Sequence, residues 1–101
     1  MKALIQDVLA FRDERNWKQY HDEKDLAISI VLEASELLEN FQWKSSEEAK
    51  HKDMQNIKEE MADVLIYLIQ LADKLGIDLE EEGLKKMEKN RVKYPVGRED
   101  S

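Results

Sequence analysis

The 101-residue chain has no cysteine. That excludes disulfides, thiolate zinc sites and a cysteine nucleophile, and makes a cytoplasmic location the expectation. One proline and three glycines are too few for the many reversals of an all-β chain. Long apolar runs are also missing: none approaches the roughly 18 residues a spanning helix needs, so no membrane association is expected. The start, Met1-Lys2-Ala3-Leu4, soon meets charges at Asp7, Arg12 and Asp13, unlike the apolar stretch of a secretory signal. Positive charge is outweighed, with 16 Lys and Arg against 23 Asp and Glu and a net charge of −7. A nucleic-acid partner is therefore not expected, because phosphate backbones need Lys/Arg surfaces.

What the chain does have is 42% hydrophobic and 39% charged residues, a mixture that suits helices with one buried and one charged face. The expected fold is an all-α, four-helix bundle around a central antiparallel helix pair. It forms one domain over residues 1–97, with a disordered tail over 98–101. Leu4, Ile5, Val8, Leu9 and Phe11 mark a first helix over residues 2–15. Asp25 can cap a second helix running to about Gln42, and a third runs from Met54 to Leu75, with Gly76 as its C-cap. Asp78, with Glu81 three residues on, opens a fourth helix that runs to about Lys93 before Pro95 and Gly97. The second helix carries Ile28 and Leu32 opposite its main apolar stripe, and the third carries Ala62, Ile66 and Ile69 away from its own. Such faces fit either a subunit interface or a central hairpin covered by flanking helices. A chain this short also buries little surface alone, so a homodimer or homotetramer is expected.

Four carboxylates break the pattern. Glu33 and Glu36 fall in one arc of the second helix with Ser29 and Asn40, against the apolar stripe. On the third helix Glu60 and Asp63 share an edge with Tyr67. The interval from Glu33 to Glu60 equals that from Glu36 to Asp63, 27 residues each. In an antiparallel hairpin the two pairs would then lie level, with the chain turning through a loop or short helix between Lys44 and Asp53. Facing carboxylates repel unless a cation sits between them. Mg²⁺ favours such oxygens and keeps open positions for a phosphate, and Mn²⁺ can substitute. Acidic pairs at this spacing also decorate solvated helices, and ion pairs to Lys58 or Lys74 would account for single members. The spacing alone leaves both readings open. Glu48 and His51 match half of a di-iron carboxylate motif but stand alone. No glycine-rich phosphate loop is present.

The stretches EASELLENFQWK, EEMADVLIYLIQLADKLGIDL and KMEKNRVKYP, with FRDERNWKQYHDEKDLAISI before them, resemble the MazG-like all-α nucleoside triphosphate pyrophosphohydrolases. Within these they are most similar to the dCTP pyrophosphatase-type branch, from about Val8 to Pro95. The resemblance implies that Glu33, Glu36, Glu60 and Asp63 hold Mg²⁺, with Glu59 as a further acidic position. It also implies that Trp17, His21, Trp43 and Tyr67, together with Lys86, Asn90, Lys93 and Tyr94 of the last helix, bind the nucleotide. Each has a plainer reading: the aromatics as core or interface residues, His21 as a surface loop residue, and the lysines as partners of a helix dipole. The implied reaction converts a nucleoside triphosphate and water to the monophosphate and pyrophosphate, clearing surplus or non-standard nucleotides. The alternative is a non-catalytic helical oligomerisation or nucleotide-sensing module.

Overall fold

The computed structural model describes residues 1–97; the expected disordered tail, 98–101, lies outside them. Among the described residues every regular element is a helix: α1 (Lys2–Glu14), a 3₁₀ turn (Trp17–Gln19), α2 (Glu23–Glu39), α3 (Ser46–Lys52), α4 (Met54–Leu75) and α5 (Leu79–Lys93). The four expected helices are all there. The short α3 occupies the stretch around residue 48, midway between the two carboxylate pairs, where an antiparallel hairpin required the chain to turn. It is held by a capping box in which Ser45 accepts from the Glu48 amide and Glu48 accepts from the Ser45 amide. Glu48 and His51 are both exposed and fall in no cluster of candidate metal ligands among the described residues.

Helices α2 and α4 form the central pair, and they run antiparallel. Lys74 near the end of α4 acts on Asp22 at the start of α2, while Glu36 and Glu60 meet fourteen residues further along α2 and back along α4. Leu26, Ile57, Ile69 and Ala72 are buried along this pair. Helix α1 lies against α4 with Val8 buried, and Arg12 anchors it. Only 4% exposed, Arg12 donates from Nη1 to Asp73 at 2.7 Å and from Nε to Asp13 at 2.9 Å. A guanidinium can be buried at this cost only when its donors are met by carboxylates.

The boundaries of α2 differ from expectation for identifiable reasons. Asp22, not Asp25, is the cap: its side chain accepts from the Asp25 amide, which places Asp25 inside the first turn. At the other end Asn40, Phe41 and Gln42 donate to carbonyls three residues back, tightening the helix out of its α geometry. Trp43 then adopts a left-handed conformation (φ 63°) that turns the chain away. Gly76 (φ 67°) ends α4 as expected, and the Asp78 side chain caps α5 through the Glu81 amide.

The two readings of the surplus apolar faces divide between the helices. Ile69 on α4 is buried within the chain, in the groove it shares with Ile5 and Leu9 of α1. On α2, Ile28, Val31, Leu32 and Leu38 stay exposed, and α5 has no buried residue. The radius of gyration, 16.7 Å, exceeds the roughly 13 Å of a compact chain of 100 residues. The protomer is open. No helix among the described residues is long and apolar enough to cross a membrane.

Candidate active site

Residues 33 and 36 lie one turn apart on α2, and the antiparallel register brings residue 60 of α4 against them. One carboxylate oxygen from each of Glu33, Glu36 and Glu60 falls within 4.8 Å of the others. Asp63 stands one turn further along α4, outside this trio, yet its charge reaches both Glu33 and Glu60. Glu33 and Glu60 are half-buried, and each keeps one buried oxygen with no hydrogen-bond partner. Burial first, then Glu36, Glu60 and Asp63, pushes the Glu33 carboxyl from 4.5 up to about 7. Burial and Glu36 raise Glu60 as well, partly opposed by a hydrogen bond with Glu33. Among the described residues neither Lys58 nor Lys74 pairs with any of these carboxylates. Two carboxylates with unpartnered buried oxygens, and a third beside them, suit a hard divalent cation, which would satisfy them and cancel their repulsion.

A cavity opens on each side of the cluster. On the Asp63 side lies a cleft of about 430 Å³ between α1, the 3₁₀ turn and α4, where Phe11, Trp17, His21 and Tyr67 gather. Asn16, in the left-handed region (φ 57°), reverses the chain after α1 and so returns Trp17 to this cleft. The Trp17 ring meets Phe11 edge-on at 5.5 Å and tilts against His21 at 5.9 Å. On the Glu36 and Glu60 side a second cavity, about 370 Å³, is lined by Asn40, Lys44, Lys52 and Asn56. Along the hairpin the order is aromatic cleft, carboxylates, then lysines and amides.

Of the residues singled out in the sequence, Glu33, Glu36 and Glu60 come together, with Asp63 adjacent. Trp17, His21 and Tyr67 share the aromatic cleft. Trp43 does not join them; it is 94% exposed beyond the end of α2. Lys86, Asn90, Lys93 and Tyr94 lie on or just past α5 and line neither cavity, the Lys93 ammonium resting 5.2 Å from the Tyr94 ring. Glu59 is exposed and accepts from Gln55 at 3.3 Å. Sequence reasoning passed over Lys44 and Lys52, and it missed Gln70, which lines the aromatic cleft. Lys44 directly follows Trp43, and Gln70 lies three residues after Tyr67 on the same face of α4. The helical period carried that second signal, but nothing marked the glutamine as more than an interruption in an apolar run.

The fold and site define an all-α hairpin with carboxylates at its centre and an aromatic cleft beside them. The MazG-like family model matches residues 28–101, and the chain belongs to the MazG-like family. It is 42% identical over 91 residues to dCTP pyrophosphatase 1 of Rattus norvegicus and 40% identical over 91 residues to that of Homo sapiens. Each alignment covers 85% of this chain and 54% of the relative, so the chain spans about half the length of these curated relatives. A solved pyrophosphatase from Archaeoglobus fulgidus DSM 4304 superposes with a TM-score of 0.87 at 46% identity, covering 94% of this chain and 92% of that one.

Proposed function

We propose that the protein is a Mg²⁺-dependent nucleoside triphosphate pyrophosphohydrolase, with Glu33, Glu36, Glu60 and Asp63 as the metal ligands. The observation that carries this reading is that half-buried Glu33 and Glu60 each keep one buried oxygen without a hydrogen-bond partner, and that both belong to a trio offering one carboxylate oxygen each within 4.8 Å of the others. The names of the rat, human and archaeal relatives support the reaction class, and dCTP heads the list of substrates to try. When bound, Mg²⁺ or Mn²⁺ supplies charge neutralisation at the phosphate oxygens and a more acidic water. Trp17, His21 and Tyr67 hold the base and sugar. Glu33 or Glu36 orients and deprotonates the attacking water. As the α–β bond breaks, Lys44 and Lys52 neutralise the departing pyrophosphate, with Asn40 and Asn56 as hydrogen-bond partners.

The exposed apolar face of α2, with Ile28, Val31, Leu32 and Leu38, is proposed as the interface of a homodimer or homotetramer. Trp43, Lys86, Asn90, Lys93 and Tyr94 contribute to a nucleotide site when a neighbouring copy brings them to it. Pyrophosphate release across a panel of nucleoside triphosphates tests the proposal. Activity is expected with Mg²⁺, none in EDTA, and recovery with Mg²⁺ or Mn²⁺. Full activity in EDTA contradicts the metal role, and no release from any nucleotide leaves the non-catalytic module as the better reading.

A further inference from the structure

Helix α1 is a thinly supported wall with open space on both of its sides. The aromatic cleft, about 430 Å³, runs along the side that carries Leu4, Asp7, Val8 and Phe11. A groove of about 580 Å³ runs along the other, where Ile5, Gln6 and Leu9 line it together with Ile69 and Ala72 of α4. Between these spaces α1 meets α4 along a narrow line, and Val8 and Arg12 are its only buried residues. A helix with so little apolar packing rolls or lifts at small cost unless a directional contact fixes it.

Arg12 supplies that contact. Its guanidinium donates from Nη1 to Asp73 at 2.7 Å and pairs with Asp13 through Nε and Nη2, each at 2.9 Å. Asp13 belongs to α1 itself, so among the described residues the Asp73 bond is the one ion pair that joins α1 to α4. Phe11, the neighbour of Arg12 in the chain, lines the cleft and meets the Trp17 ring edge-on at 5.5 Å, and Trp17 in turn tilts against His21. The aromatic wall therefore hangs from the end of α1 that the guanidinium holds. The carboxylates do not: Glu33, Glu36 and Glu60 sit on α2 and α4, and Asp73 is about 15 Å along the α4 axis from Asp63 at 1.5 Å per residue.

We propose that Arg12 is a positioning residue: through Asp73 it pins α1 to α4 and so holds the Phe11 and Trp17 wall at the spacing a nucleoside needs. The role rests on the nucleotide reading of the cleft, and deepens it by naming what sets the shape of the cleft. Arg12 touches no substrate. It acts by keeping the binding-competent position populated, and affinity falls in proportion when that population falls. Loss of the pin should weaken the nucleoside end of a ligand and spare the phosphate end, which α2 and α4 hold without α1.

The test is calorimetric binding of dCMP and of pyrophosphate, with Mg²⁺, to wild type, Asp73→Ala and Asp73→Glu, below the melting temperature of each. Asp73→Ala should weaken dCMP at least about fivefold, the low end of a coupling between distant sites, and leave pyrophosphate unchanged. Asp73→Glu should restore dCMP binding, because it keeps a carboxylate for Arg12 and the open groove beside it has room for the longer side chain. Should Asp73→Ala unfold, Asp73→Asn repeats the comparison with the same shape and no charge. Acrylamide quenching of Trp17, read in a Trp43→Phe background, follows the wall without any ligand; it should rise in Asp73→Ala and return in Asp73→Glu. Failure of wild type to bind dCMP defeats the nucleotide reading of the cleft and the proposal with it. Where wild type binds dCMP, equal weakening of both ligands, unchanged dCMP binding or unchanged Trp17 quenching in Asp73→Ala overturns the Arg12 role alone.

Discussion

Glu33 and Glu60 are acids placed where the fold disfavours their charge. For Glu33 the folded carboxyl is raised from 4.5 to about 7 by burial and by Glu36, Glu60 and Asp63. A group raised in this way favours the folded state fully below its unfolded value and loses that contribution as pH rises through the folded one. Metal-free protein should therefore melt at a lower temperature at pH 8 than at pH 5, and added Mg²⁺ should restore more stability at pH 8. Thermal unfolding in EDTA and in excess Mg²⁺ checks this; a metal-free midpoint that rises with pH contradicts it. Glu60→Gln keeps shape and hydrogen-bonding capacity but removes one charge. Turnover should fall by at least about two orders of magnitude, the usual worth of one electrostatic stabiliser. The metal-free variant should be no less stable, because one repelling carboxylate has gone. Glu80→Gln, in the exposed first turn of α5, should leave activity near wild type.

At the level of the helices, the ends carry both strain and information. Trp43 holds a left-handed backbone with 94% of its surface exposed, so its conformation costs energy that packing in its own chain does not return. Trp43→Asn should stabilise the protomer by about 1 kcal/mol in urea unfolding, since an L-residue in this region costs roughly 1–2 kcal/mol and asparagine tolerates it best. Asp73→Ala should act the other way, loosening α1 from α4 by about 1–3 kcal/mol as buried Arg12 loses its 2.7 Å partner. Helix α4 was legible to the residue because Asp53, Gly76 and a long apolar period all agree on its limits. The start of α2 was not, since Asp22 and Asp25 are equally good caps in sequence and only the fold decides which side chain turns to which amide. The carboxylate trio was legible from the spacing, because Glu33 and Asp63 share a midpoint at residue 48 with Glu36 and Glu60, and an antiparallel pair turning there brings them level. The cleft around Trp17 and Tyr67 depended on the family resemblance. The distance of the Lys86 to Tyr94 group from both cavities was not legible at all, because α5 buries nothing in its own chain and so leaves no packing pattern to read.

The described residues form an open protomer, with few buried side chains among them and a bare apolar face on α2. In the proposed assembly, burial of that face against a second copy would add hydrophobic stabilisation that the protomer lacks. Light scattering at micromolar concentration should therefore report a dimer or tetramer, and a monodisperse monomer would contradict this use of the face. In the proposed reaction the two cavities on either side of the carboxylates take the base and the leaving group. Lys44→Gln combined with Lys52→Gln should weaken inhibition by added pyrophosphate at least about tenfold while leaving inhibition by the monophosphate nearly unchanged. Equal weakening of both would contradict the assignment. The most direct measurement is phosphorus NMR of the products formed from dCTP with Mg²⁺, run beside an EDTA control. Equal amounts of dCMP and pyrophosphate, and no turnover in EDTA, are expected; dCDP with orthophosphate, or undiminished turnover without metal, would contradict a metal-dependent pyrophosphohydrolase.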